Sequence, residues 1–222
     1  MLTRSLVISA LILLVSVVAS AQSKPGVIAI NGGRNAVYVG KPDRSFPAAH
    51  PAAGLVTIYS NLGTGSNVYN GIAGTGILGR AVPGMLYPEW LADSFVPTTD
   101  HMVTQIQVGV TWVQGPNGVI LSLTADNPSG GPGQPFKSWR LPNLPVFGTC
   151  CTLQTVTLTT PVPVTAGTKY WIVLRTPDHN QTTWAVWNDN FNELNGQLWN
   201  NLGFGWIDEG MQAQGAFGVF GL

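Results

Sequence analysis

From about Ala92 to Asn190, apolar and polar residues alternate in short runs, and the runs are separated by Gly, Pro and Asn. Met102 to Trp112 is the clearest case. Ile106, Val108, Val110 and Trp112 fall on even positions, while Gln105, Gln107 and Thr111 take odd ones. A period of two sends successive side chains to opposite faces, so this run predicts a strand with one buried and one wet face. No helical stripe longer than about two turns and no fixed-period repeat occurs.

The other elements follow from the same reading. Leu55–Ser60 is the first clear strand, followed by a Gly-rich stretch to Gly84 and then Ala92–Val96. Gly115-Pro116-Asn117-Gly118 is a turn signal, and Val119–Ala125 is expected to run back as a hairpin partner. Asn127–Gly133 reads as a loop, because its prolines and glycines disfavour a ladder. Phe136–Leu141, Leu153–Thr159, Lys169–Arg175 and Thr182–Trp187 follow as strands, then two Trp-bearing segments and a last strand to Leu222. Strands at such spacing predict an all-β antiparallel β-sandwich of jelly-roll type over residues 55–222. Residues 22–54 have weak periodicity, with strand-like patches at Val27–Ile30 and Ala36–Val39, and read as a loosely packed or mobile leader.

The first 21 residues have the form of a signal peptide. Arg4 supplies the positive charge, Leu6–Val18 a 13-residue apolar run, and Ala19-Ser20-Ala21 a small-x-small cleavage site, so the mature chain is expected to begin at Gln22. That run falls short of the roughly 20 residues a spanning helix needs, and Gly215–Leu222 reads as a final strand rather than an anchor. The expectation is therefore an exported protein, extracellular or periplasmic, without a stable membrane anchor.

Charge narrows the partners. Of 10 basic and 10 acidic residues, loss of Arg4 leaves nine against ten, a formal charge of −1. With no basic block or stripe, nucleic acid is not an expected partner. A 45% hydrophobic content excludes a disordered chain.

Candidate chemistry is sparse. Gly74-Thr75-Gly76-Ile77-Leu78-Gly79 matches a dinucleotide fingerprint by letter, but Pro83 and Gly84 follow where a helix is required, so it reads as a flexible glycine loop. Cys150 and Cys151 are the only cysteines and are adjacent. A trans peptide holds neighbouring Cα atoms about 3.8 Å apart, below the usual disulfide range of about 4.4–6.8 Å, so a bridge between them is strained. In an oxidising compartment a vicinal disulfide is still the favoured reading, with free or intermolecular thiols and metal ligation as alternatives. Asp189 with Glu193, or Asp208 with Glu209, superficially resemble a glycosidase pair, but they sit among polar turn residues and read as solvated acids. His50, His101 and His179 have no accompanying nucleophile signature. Asp126 and Asp189 lack the spacing of a calcium loop. No catalytic residue, cofactor or metal is expected. Asn180-Gln181-Thr182 is a glycosylation sequon only in a glycosylating host.

The eight tryptophans carry any binding hypothesis. Rings offer flat apolar area at small entropic cost, and amides and carboxylates supply the paired donors and acceptors that hydroxyl-rich ligands need. Trp187 and Trp199 with Asn188, Asp189 and Asn190 form the candidate ligand site. Trp184 and Trp187 are three apart and face opposite sides of a strand. Trp187, next to the polar run, is expected to be exposed, with Trp184 in the core beside mid-strand Trp112 and Trp171.

Several segments resemble the choice-of-anchor β-sandwich domains of secreted bacterial proteins. They are Ala92-Asp93-Ser94-Phe95, Ile120–Asp126 with Gly131-Pro132-Gly133, Leu144–Cys151, Thr165–Leu174 and Thr183–Asn188 within Val56–Val219. The resemblance implies the fold and brings no catalytic or ligand residues. The reading is a non-catalytic secreted module that binds extracellular polysaccharide or a cell-surface component. The alternatives are an extracellular glycan hydrolase or a purely structural exoprotein.

Overall fold

The computed structural model describes residues 26–30, 35–40 and 51–222, so the signal-peptide features and His50 lie outside the described residues. Among the described residues there are fifteen strands and no helix. They are β1 (Gly26–Ile30), β2 (Asn35–Val39), β3 (Val56–Ser60), β4 (Tyr69–Leu78), β5 (Trp90–Phe95), β6 (His101–Val108), β7 (Val110–Gln114) and β8 (Gly118–Asp126). After these come β9 (Pro132–Pro142), β10 (Gln154–Val164), β11 (Tyr170–Arg175), β12 (Trp184–Asn190), β13 (Asn195–Asn201), β14 (Trp206–Ala213) and β15 (Phe217–Gly221).

Every ladder between these strands is antiparallel. They form three sheets, ordered β1-β2-β4-β12-β7, β10-β6-β15-β3 and β14-β13-β5-β11-β8-β9. One hydrophobic core takes residues from all three, including Ile77 and Trp187, Ile106 and Phe217, and Leu121, Ile172 and Leu198. The antiparallel β-sandwich is thus the architecture: the six-stranded sheet packs against the other two.

Gly109 explains why two sheets share a layer. The run from Met102 to Trp112 is divided there into β6 and β7, which belong to different sheets. A Cβ on Gly109 would lie 2.8 Å from Tyr69 Cδ1, so only glycine fits the crossing. Gly109 N donates to Ala216 O at 2.9 Å, and Asn188 N donates to Gly109 O at 2.9 Å, tying the sheets together.

Three expectations are corrected. The face of β6 and β7 expected to be wet is covered: Gln105, Gln107 and Thr111 are all buried. They stay polar because each has a partner, Ala52 N, Thr155 Oγ1 and Asn188 Oδ1 respectively. The turn at Gly115–Gly118 exists, but β7 pairs with β12 while β8 pairs with β11 and β9, so it is a crossing between sheets and not a hairpin. A turn signal fixes a reversal and says nothing about which strand is the hydrogen-bond partner. The loop after Asn127 is also shorter than expected, since β9 begins at Pro132. The proline is accommodated because β9 is an edge strand.

The Gly-rich stretch holds the largest departure. Residues 69–78 form β4, a ten-residue strand between β2 and β12, so the glycine motif is a strand and not a flexible loop. The stretch read as a leader supplies β1 and β2, and β2 pairs Ala36 with Gly74 at the edge of β4.

Candidate ligand-binding face

The structure separates the five residues assigned to a binding site. Trp187 is 1% exposed, packs on Phe217 with ring centroids 6.0 Å apart, and donates its Nε1–H to Ala216 O at 3.1 Å. The expected exposure of Trp187 is therefore overturned. It and Trp184 do face opposite sides, but β12 is covered on both, with Trp184 in a cluster with Phe147 and Val186. Asn188 donates to Asn70 O and accepts from Thr111 Oγ1. Asn190 donates to the carbonyls of Leu194 and Gln214 and accepts from Leu194 N. Both amides are spent on internal bonds and offer nothing to a ligand. Asp189 lines a cleft between the sheets, and Trp199 stands on the far side of the six-stranded sheet.

That cleft has a volume of about 520 Å³ and runs between β2, β4 and β12 on one wall and β13 and β14 on the other. It brings Asp189 together with Glu89 and Glu209, a grouping that sequence distance hides. Neither pair weighed in the sequence, Asp189 with Glu193 or Asp208 with Glu209, lines it together, and Asp189, read there as a solvated acid, is largely buried. Burial pushes the Asp189 carboxyl up to about 7. Among the described residues no group of three or more acidic, histidine or cysteine side chains has metal-binding geometry.

Cys150 and Cys151 are bonded to each other, with a cis peptide between them. Both are buried beside Val68, Tyr69 and Leu153, and a Cβ on Gly71 would lie 2.8 Å from Cys150 Cβ. The pair seats the loop after β9 on the start of β4, which is a structural role.

A different face collects the rings. Along the outer side of the six-stranded sheet, Trp206 on β14, Trp199 on β13, Trp90 on β5 and Trp171 on β11 stand one per strand on four adjacent strands. The register confirms the shared face: Trp206 pairs with Asn201, which pairs with Trp90, while Trp199 pairs with Ala92, which pairs with Val173. Leu91, Leu174 and Leu121 take the opposite, inward phase.

The four rings are not equivalent. Trp171 is fully buried, bonds through Nε1 to Asp126 Oδ1 at 2.7 Å, and meets Trp199 edge-on at 6.2 Å. The turn after β8 lies over Trp199, where a Cβ on Gly131 would reach 2.5 Å from ring atom Cε3. Trp90 and Trp206 are half-buried and flank a groove of about 130 Å³, whose other lining residues include Ser122, Thr124, Pro135 and Arg175. Thr124 is 2% exposed, and its Oγ1 has no partner among the described residues. At one end, Tyr87 and Phe204 meet edge-on at 5.7 Å beside Leu86, and Phe204 is 79% exposed.

The outward placing of Trp90 and Trp206 is absent from the sequence reading above although the signal is present. In Trp90-Leu91-Ala92-Asp93-Ser94-Phe95 the tryptophan shares its phase with Ala92 and Ser94, opposite Leu91 and Phe95. A large ring in the polar phase of a strand faces outward. No protein family, curated protein or solved structure matches this chain.

Proposed function

We propose that the chain is a secreted, non-catalytic β-sandwich module that binds extracellular polysaccharide on the outer face of its six-stranded sheet. The observation that carries this reading is the groove between Trp90 and Trp206. Two half-exposed rings flank hydroxyl side chains and a guanidinium, the mixture of flat apolar contact and directional polar groups that a sugar ring requires. The exposed Leu86, Tyr87 and Phe204 extend the apolar surface beyond the groove. The choice-of-anchor resemblance, the export signal and a cell-surface or matrix setting belong to the same proposal.

Affinity electrophoresis through gels containing neutral and acidic polysaccharides tests it. Trp206→Ala and Trp90→Ala should each weaken retention roughly two- to twelvefold, given about 0.5–1.5 kcal/mol per aromatic contact. Unchanged retention in both variants would remove the groove from the binding site.

A second reading, hydrolysis of extracellular glycans, is favoured by one observation. Asp189, with its raised pKa, shares a water-accessible cleft with Glu209, and glycosidases use one protonated and one ionised carboxyl. Release of reducing ends by the unaltered protein, lost in Asp189→Asn, would establish that activity.

A further inference from the structure

Trp90 also borders a second pocket, of about 230 Å³, lined by Arg80, Pro88, Thr176, Asp178, Asn180 and Gln181 among others. Arg175 lines the Trp90–Trp206 groove and is bonded to two residues that line this second pocket, Thr176 and Asp178. Its guanidinium carbon sits 5.6 Å from the Trp90 ring centroid, and its Nη1 donates to Thr176 O at 3.3 Å and Asp178 Oδ1 at 2.8 Å. No bond among the described residues engages its Nη2 or Nε. Arg80 is exposed at the pocket's rim.

Asn180 lines the same pocket and is 4% exposed; its Nδ2 has no acceptor among the described residues and lies beneath the pocket surface, so a ligand oxygen reaches it only if the amide turns outward. The fixed cations of the site are therefore the two guanidinium groups, and among the described residues the Asp178 carboxylate bonds to Arg175 alone. Asp178 is 85% exposed at its side chain, and an exposed ion pair is weak enough for a ligand anion to displace.

We infer that this pocket binds the anionic substituent of an acidic polysaccharide, a carboxylate or a sulfate ester, whose neighbouring sugar stacks on Trp90. The inference rests on the glycan-binding reading above and names its ligand class. Arg175 is the specificity residue: it lines the sugar groove, packs by Trp90 and is bonded to Thr176 and Asp178 of the anion pocket. Asp178 is a built-in competitor that holds the guanidinium until the ligand arrives. Long-range attraction does not supply the preference, because the formal net charge of the chain is zero.

The experiment compares retention of the protein in gels containing dextran, xylan or galactomannan with gels containing polygalacturonate or dextran sulfate. One acidic polymer should retain it about tenfold more strongly than any neutral one, and the difference should collapse near about 0.5 M NaCl. Arg175→Gln and Arg80→Gln should each reduce the acidic preference severalfold. Asp178→Asn should increase retention by the acidic polymer roughly two- to fivefold. Stronger retention by polygalacturonate assigns the substituent as a carboxylate, and by dextran sulfate as a sulfate ester. Equal retention by neutral and acidic polymers, or no change in both Asp178→Asn and Arg80→Gln, overturns the anionic assignment and leaves the groove standing. No retention by any polymer overturns the glycan-binding reading itself.

Discussion

Asp93 points from β5 into the layer between the sheets, where Gly215 N donates to its Oδ2 at 2.8 Å and its Oδ1 has no partner among the described residues. Full burial holds its carboxyl well above the usual carboxylate range, and nearby Asp189 pushes in the same direction. Asp189 is itself raised to about 7 by burial. The phenol of Tyr59 is pushed up to about 12 by burial, with Asp93 adding to the rise. Both acids therefore keep their protons in the folded chain at pH values where the unfolded chain has lost them. Their contribution is fully present below the unfolded value of 3.8, shrinks as pH rises towards about 7, and for Asp93 continues to shrink beyond. Stability measured by denaturant midpoint should fall between about pH 5 and pH 8, by on the order of 2 kcal/mol. Asp93→Asn, which cannot ionise and keeps an oxygen for Gly215 N, should flatten that fall. A wild-type stability that rises over the interval, or an unchanged slope in the variant, would contradict the assignment. Asp93 was legible in the sequence, since it shares its phase with the core residues Leu91 and Phe95.

Elements whose side chains carry the hydrophobic signal were legible, and β4 was not. In β8 apolar residues mark the inward phase, as they do in β6 from Ile106 on, whereas β11 and β12 stand out as near-continuous apolar runs, and all four lie close to where the sequence places them. β4 is Tyr-Asn-Gly-Ile-Ala-Gly-Thr-Gly-Ile-Leu, and its glycines give no phase to read. They are there for proximity. A Cβ on Gly74 would collide with Trp187 O and approach Val186 Cγ1 to 2.6 Å and Asn188 Cα to 2.8 Å. Gly74→Ala should therefore cost about 3 kcal/mol or more, because backbone on the neighbouring strand has to move. Gly167→Ala meets nothing within 4 Å and pays only for a positive φ of 71°, about 1 kcal/mol. Urea unfolding of the two variants separates the effects, and equal losses would mean that β4 yields easily. The Trp-bearing face of the six-stranded sheet fails to emerge for a related reason. Periodicity gives phase within each strand, whereas the alignment of Trp206, Trp199, Trp90 and Trp171 depends on strand order, which is set by long-range pairing.

At the scale of the whole molecule, β1 and β2 decide whether the five-stranded sheet has a protected edge. Ladder pairs from Asn35–Thr75 to Val37–Ala73 close β4, and Ala36 is fully buried there. Tyr38 packs edge-on against Phe147 at 6.1 Å, and Val27 joins the same cluster around Leu78, Trp184 and Val186. Without these two strands the sheet would present a glycine-rich strand with unpaired N–H and C=O groups, and Trp184 and Phe147 would lose part of their cover. A long open edge of that kind invites pairing with another copy. A protein beginning at Pro51 should therefore lose about 3–5 kcal/mol, comparable with truncating a large core residue, and melt about 10 °C lower. It should also form higher oligomers at concentrations where the longer chain stays monodisperse by light scattering. A truncated protein that remains monomeric and melts within about 3 °C of the parent would show that β1 and β2 are an appendage rather than part of the sheet. The geometry favours the first outcome, because β2 supplies backbone partners to β4 and side chains to the cluster behind β12, and among the described residues no other strand pairs with β4 on that side.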